Sequence, residues 1–208
     1  MTTTLEKPKT TRALVARLNE ITLGSGSHSH TDGFCAREAL FYVMEGKKAD
    51  RTPDCLSPFI ALLPAINDFK CWKNDAERTE FFRPWWPKLL ELKRDPVADQ
   101  RRAYAMADLA VRVFAADAME SAAKVCKNQK LAEHAAILRA LPKITNKETA
   151  LAGQKAAAEA AAEAAAAARW AEAAAAARWA EAAAAAAARW AEVQKKYATL
   201  ILETLCAA

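Results

Sequence analysis

Two imidazoles and two thiols stand near one another in the first part of this chain. His28 and His30 lie in the loop Gly24-Ser-Gly-Ser-His-Ser-His-Thr-Asp-Gly33, and Cys35 and Cys55 follow. Nitrogen and sulfur donors in that number match a tetrahedral zinc site. The spacing is not that of a zinc module, since neither Cys-x-x-Cys nor a helical His-x-x-x-His pair is present. Two half-buried thiols beside a solvated His-rich loop account for the same residues. Cys35 with His30 as its base is the thiol-nucleophile variant of the set. A third chemistry needs no reaction. A Gly/Ser loop running into a helix N-terminus offers backbone amides and a positive dipole end, and with His28, His30 and Arg37 it suits a phosphate or another small anion. The Gly-Lys-Ser/Thr ending of a P-loop is absent. The neighbouring acids Asp32, Glu38 and Asp50 are expected to cap helices or to pair with Arg37, Lys48 and Arg51, not to form a general acid/base pair.

A second constellation lies near the C-terminus, where Arg169-Trp170, Arg178-Trp179 and Arg189-Trp190 each begin an Arg-Trp-Ala-Glu tetrad separated by alanine. Guanidinium and indole side by side can stack on a flat anionic ligand. The plainer alternative is a duplicated alanine tract with tryptophans as packing anchors and Arg-Glu pairs as a soluble rim. At about 100° per residue, Trp170 points roughly opposite to Trp179, whereas Trp179 and Trp190 share a face. Such a helix fits between two surfaces, which includes a homo-oligomer interface.

The elements that must position these groups are helical. Alanine is the strongest helix former, and neither Gly nor Pro follows Gly153. Thr145 with Glu148 reads as a capping box. One helix from about Asn146 to about Leu205, roughly 90 Å at about 1.5 Å per residue, is the expectation. Ahead of it, Thr10 or Thr11 caps a helix through Leu14, Val15, Leu18 and Ile21. Thr31 or Asp32 caps the next, which ends at Gly46. Ser57-Pro58 starts a third, kinked at Pro64. Phe81, Phe82, Trp85 and Trp86 plug the core between prolines, or form an aromatic ligand platform. A long helix follows from Arg101 to about Ser121, with Asp108 and Arg112 as an i, i+4 pair, and Asn128 caps another that stops at Pro142. No stretch alternates with period two. The fold class is all-α, a helical bundle of about seven helices with a very long Ala-rich C-terminal helix. The organisation is a flexible arm over 1–9, a helical domain over 10–144, and the Ala-rich helix over 145–208, packed on the domain or on a partner.

Composition limits the function classes. The net charge of +5 is mild and its Lys and Arg are scattered, so nucleic acid is not indicated. No apolar run reaches the length of about 20 residues that spans a bilayer, and the Thr-rich N-terminus lacks a signal-peptide core. Five cysteines, odd in number and widely spaced, are expected to be reduced thiols in a cytoplasmic protein.

Gly33-Phe-Cys35-Ala-Arg-Glu38-Ala39-Leu-Phe-Tyr42-Val43-Met-Glu45-Gly46, then Asp50, Pro53, Cys55, Ser57-Pro58 and Asn67-Asp68, an Asp108-containing helix and an Ala/Trp/Arg-rich tail together resemble a group of uncharacterised proteins from bacteriophages and actinobacteria. This chain departs from that pattern at Lys47-Lys48, where a His-Ser pair is commoner, which removes a possible metal ligand. The resemblance carries no assigned activity and no functional residues. It implies an accessory phage-type product acting in the host bacterial cytoplasm, where such proteins often work by binding, including inhibition of host defences. The expected function is therefore a non-enzymatic protein that sequesters a small anionic, nucleotide-like ligand or binds a host protein. The alternatives are a virion or assembly protein that self-associates through the Ala/Trp helix, and a small zinc- or thiol-dependent enzyme.

Overall fold

The computed structural model describes the backbone of residues 10–25, 33–175 and 179–207, with side chains over the same ranges except 166–189. Among these residues the regular structure is helical throughout, as expected, and the only extended pairings are isolated bridges between Leu23 and Phe34 and between Leu56 and Lys93. None of the described helices is long and apolar enough to cross a membrane. The chain divides into two compact units.

The first unit joins Met1–Asp99 to Ala191–Ala198. Its first helix, α1 (Thr11–Asn19), is capped by the Thr10 hydroxyl, which accepts from the Ala13 amide at 3.3 Å. Helix α2 (Ala36–Glu45) ends at Gly46, whose φ of 73° is the left-handed conformation that terminates helices and favours glycine. Its cap is Cys35; the expected caps Thr31 and Asp32 lie outside the described residues. Ser57-Pro58 does open helical structure, with the Ser57 hydroxyl accepting from the Phe59 amide, but the turns Pro58–Leu62 are 3-10. A new helix, α3 (Leu63–Asn67), begins after them with Pro64 in its first turn. Pro64 therefore starts a helix where a kink was expected, because proline costs nothing where an amide has no intrahelical partner.

Helix α4 (Asp75–Phe82), capped by Asn74, passes through the 3-10 turn Arg83–Trp85 into α5 (Trp86–Glu91). Helix α1 packs on α2 and α5, and α2 on α3. Leu18, Leu40, Ile60, Leu63, Phe82, Trp86 and Leu89 are sealed from solvent in this core. The aromatic run divides. Phe82 stacks on Trp86 with ring centroids 5.5 Å apart and both are buried, while Phe81 and Trp85 are only half-buried. The Trp85 ring is covered by the Lys88 ammonium at 4.9 Å, a cation–π contact and not an open platform.

The second unit joins Gln100–Trp190 to Thr199–Cys206. Helix α6 (Pro96–Asp108) runs through a π-helical stretch, Leu109–Ala115, into α7 (Ala116–Cys126). Asn128 then caps α8 (Gln129–Ala140), and α7, α8 and α9 (Lys147–Ala175) pack together. Small side chains set this contact: Ala116, Leu138 and Ala160 are fully buried against one another, and Ala123 and Leu131 pack against Ala164. Alanine at those positions lets the helix axes approach closely. Gly153 makes room for the Ile144 side chain of the connection before α9, since a Cβ there would lie 2.8 Å from Ile144 Cδ1.

The cap of α9 is one residue later than expected. Asn146 Oδ1 accepts from the Thr149 amide at 2.9 Å, and the Ala150 amide donates to the Asn146 carbonyl. The expected single helix to Leu205 is not what is described. Helix α9 and α10 (Trp179–Ala207) are 29 residues each, residues 176–178 between them lie outside the described residues, and α10 has described side chains only over its last 18 residues, 190–207. The very long C-terminal helix is therefore not shown; what is described is a 29-residue helix on either side of residues 176–178.

Candidate binding site at the start of α2

The Gly/Ser loop is held at both ends by side chains to which sequence reading gave no part in anchoring it. Leu23 and Phe34 form an isolated parallel bridge, and the Gly24 amide donates to the Phe34 carbonyl at 2.9 Å. Beneath them sits Asn67, the last residue of α3, with no exposed surface. Its amide nitrogen donates to the Gly24 carbonyl at 2.7 Å, and its amide oxygen accepts from the Ala36 amide at 3.3 Å. One side chain thus touches the loop's first and last anchored turns. Arg78 and Thr79 on α4 complete the clamp. Arg78 is 5% exposed, donates through Nε to the Asn67 carbonyl at 2.8 Å and through Nη1 to the Leu23 carbonyl at 3.3 Å, and pairs with Asp75. The Thr79 hydroxyl accepts from the Leu23 amide at 2.9 Å. On the other side Lys48 donates to the Gly33 carbonyl at 2.6 Å and lies over the Phe34 ring.

At the start of α2 the chain satisfies its own amides. The Cys35 thiol accepts from the Glu38 amide at 3.5 Å, and the Glu38 carboxylate accepts from the Cys35 amide at 2.8 Å, a capping box with sulfur in the usual place of a hydroxyl. With the Ala36 amide taken by Asn67, three donors that an anion would use there are already engaged, and Glu38 brings its own carboxylate to the positive end of the helix. Arg37 is engaged as well, through an ion pair with Asp50, although its Nε is buried without a partner. The expectation that Glu38 caps and that Asp50 pairs with Arg37 is met.

The metal-ligand set predicted from sequence is redrawn. His28 and His30 lie outside the described residues. Cys55 is solvent-exposed and is not part of the one ligand cluster found among the described residues, which is Cys35, Glu38 and Asp50, with ligand atoms all within 4.8 Å of one another. Two carboxylates therefore stand where a second thiol was expected. One thiol and two carboxylates suit a divalent ion of borderline softness, but Cys35 is 4% exposed, and burial pushes its pKa from an ordinary 9.0 up to about 11. A buried protonated thiol is a poor nucleophile, which weighs against the Cys35–His30 hydrolytic pair. A metal would have to displace that proton.

For the tail, the side chains of Arg169, Trp170, Trp179 and Arg189 and the whole of Arg178 lie outside the described residues. Trp190 is described and is 55% exposed. Comparison of the chain with protein-family models, with curated proteins and with solved structures found no match.

Proposed function

We propose that this protein is a non-enzymatic accessory binding protein, of the kind the phage resemblance implies, which takes its ligand through the segment from Gly24 to Arg37. The observation that carries this reading is the polar clamp beneath that segment. Asn67, Arg78 and Thr79 are all buried, and burying polar groups is costly unless each is matched. A clamp of this kind fixes the ends of a loop whose own sequence contributes no large apolar residue between Gly24 and Gly33, a common arrangement for recognition loops on rigid supports. The ligand class to test first is a small anion contacting His28 and His30, with donors supplied by the loop, because the α2 amides and Arg37 already have partners.

A second reading is favoured by the Cys35, Glu38 and Asp50 cluster: a divalent cation such as zinc, held by those donors with an imidazole from His28 or His30. Native mass spectrometry of protein purified from a bacterial host separates the two. A co-purified mass of a few hundred daltons, lost on His30→Ala while the melting temperature of the free protein is kept, supports the anion reading. An added mass of about 65 Da, lost on Glu38→Gln, supports the cation. A clean mass in both the native and the reconstituted protein, unchanged by either substitution, overturns both and shifts attention to self-association through the Ala/Trp helix.

A further inference from the structure

Residues 47–52 follow the Gly46 stop of α2 and fold back on that helix through charged side chains. Lys48 donates to the Gly33 carbonyl at 2.6 Å and stands 4.8 Å from the centroid of the Phe34 ring. Asp50 pairs with Arg37, and Arg51 stands 5.4 Å from the centroid of the Phe41 ring. The segment makes no backbone hydrogen bond to another described residue, and none of its side chains is buried. It is gripped only at its ends, by the Gly46 cap and the buried Pro53. Next to it lies a thiol: the Asp50 carboxylate is within 4.8 Å of Cys35 Sγ, and Cys35 is 4% exposed. We propose that residues 47–52 are an ionic strap over the Cys35 thiol, and that release of the strap's charged contacts is what admits a soft, thiophilic cation there. This rests on the cation reading for its purpose, since the strap carries Asp50, one of that site's donors, but not for its test.

A segment without backbone pairing or buried side chains opens locally, well below the cost of unfolding the unit around it. Ion pairs and cation–π contacts at partly exposed positions are each weak, and the Asp50 side chain is 66% exposed. Loss of a single contact therefore raises the open population by a measurable factor. The Asp50 carboxylate is also engaged by Arg37, so an entering cation has to take the place of the guanidinium. Were Cys35 covered only by the packing of α2 on α3, release of the strap would leave its protection unchanged.

Alkylation of the chelator-treated, full-length protein by iodoacetamide, a neutral reagent, decides this when each cysteine is followed separately by mass spectrometry. Cys71 is the internal reference, since it is also 4% exposed but lies among Glu77, Arg78 and Lys195 instead of beside the strap. Arg37→Met breaks the pair and leaves the Asp50 carboxylate facing the thiol. Loss of a nearby cation by itself favours the protonated thiol and slows alkylation, so a faster reaction reports access. The expected result is that Cys35 speeds up roughly fivefold or more relative to Cys71. A Cys35 rate that is unchanged or lower, or an equal rise at Cys71, overturns the proposal. Should Arg37→Met not fold by circular dichroism, Lys48→Met is the second variant. It releases the Gly33 carbonyl and the Phe34 ring, again with loss of a cation, and the same selective rise at Cys35 is expected. Failure of the cation reading would register in the native mass and leave this comparison of rates untouched.

Discussion

A thiol that caps a helix while almost wholly out of solvent has a measurable consequence. Cys35 keeps its proton in the folded protein to about pH 11, whereas an unfolded thiol releases it near 9.0. The folded pKa lies above the unfolded one, so the stabilising contribution is complete below about pH 9 and is lost as pH rises from there toward 11. The stability of chelator-treated protein should therefore fall across that window by at most about 1.4 kcal/mol per pH unit, and Cys35→Ala should flatten this alkaline limb. The same burial sets reactivity. At pH 8, iodoacetamide should modify the exposed Cys55 well before Cys35; equal rates would show that the capping box opens readily. Glu38 as a cap and Asp50 as a partner of Arg37 were legible in sequence; their meeting with Cys35 was not, since a whole helix separates Asp50 from it. That Cys55 turns outward was not, because the direction of an isolated side chain in a loop is decided by what packs around it.

At the scale of elements, an ion pair joins Asp108, just before the π-helical stretch Leu109–Ala115, to Arg112 within it, and it does more than support its own helix. Asp108 accepts from Arg112 at 3.2 Å and also from the Ile144 amide at 2.8 Å, while Arg112 donates to the Arg139 carbonyl. The i, i+4 pair was predicted from spacing; its grip on the α8–α9 connection was not, since those partners are 27 and 36 residues away. Asp108→Ala should cost about 1–3 kcal/mol in chemical denaturation, because it leaves the part-buried Ile144 amide without its acceptor and the Arg112 guanidinium without its carboxylate. Asp108→Asn, which keeps an acceptor for Ile144, should cost clearly less, and equal losses would refute that role for the carbonyl oxygen. Element boundaries follow the same division. Thr10 and Asn128, expected as caps from sequence, cap their helices by local bonds; Asn74, which sequence reading did not name, does the same. In sequence Asn67 has a place in the resemblance but no role, and Arg78 has neither; the bonds they make reach across 31 and 55 residues.

At the scale of the molecule, the last helix contributes buried residues to each of the two units. Ala198, Leu202 and Leu205 have no exposed surface, and Arg102, 8% exposed, donates to the Leu205 carbonyl at the helix end. A chain truncated after Trp190 should lose cooperative unfolding by circular dichroism; an unchanged melting curve would make the tail dispensable. Lys195 binds Glu77, and this hydrogen bond holds the Glu77 carboxyl below its ordinary range. A carboxylate with a lowered folded pKa stabilises above its ordinary value, and that contribution is lost as pH falls through the folded one. Glu77→Gln should therefore make the acid limb of stability shallower, by a small amount given the partial exposure of both partners. Trp190, by contrast, is exposed, so Trp190→Ala should leave monomer stability nearly unchanged while testing self-association by sedimentation.

What sequence alone determined is local: helices as the regular structure of the described residues, the caps at Thr10, Ser57 and Asn128, the Gly46 stop, and the Asp108–Arg112 pair. These depend on bonds within about one helical turn, which residue type and spacing control directly. Only tertiary structure decided that Pro64 begins a helix, that the amides at the start of α2 are already spoken for, that Glu38 and Asp50 join Cys35 in place of Cys55, and that Asn67 bonds both Gly24 and Ala36. Each of those depends on which distant backbone groups are brought within hydrogen-bonding distance, and that is fixed by how the apolar faces of the helices pack.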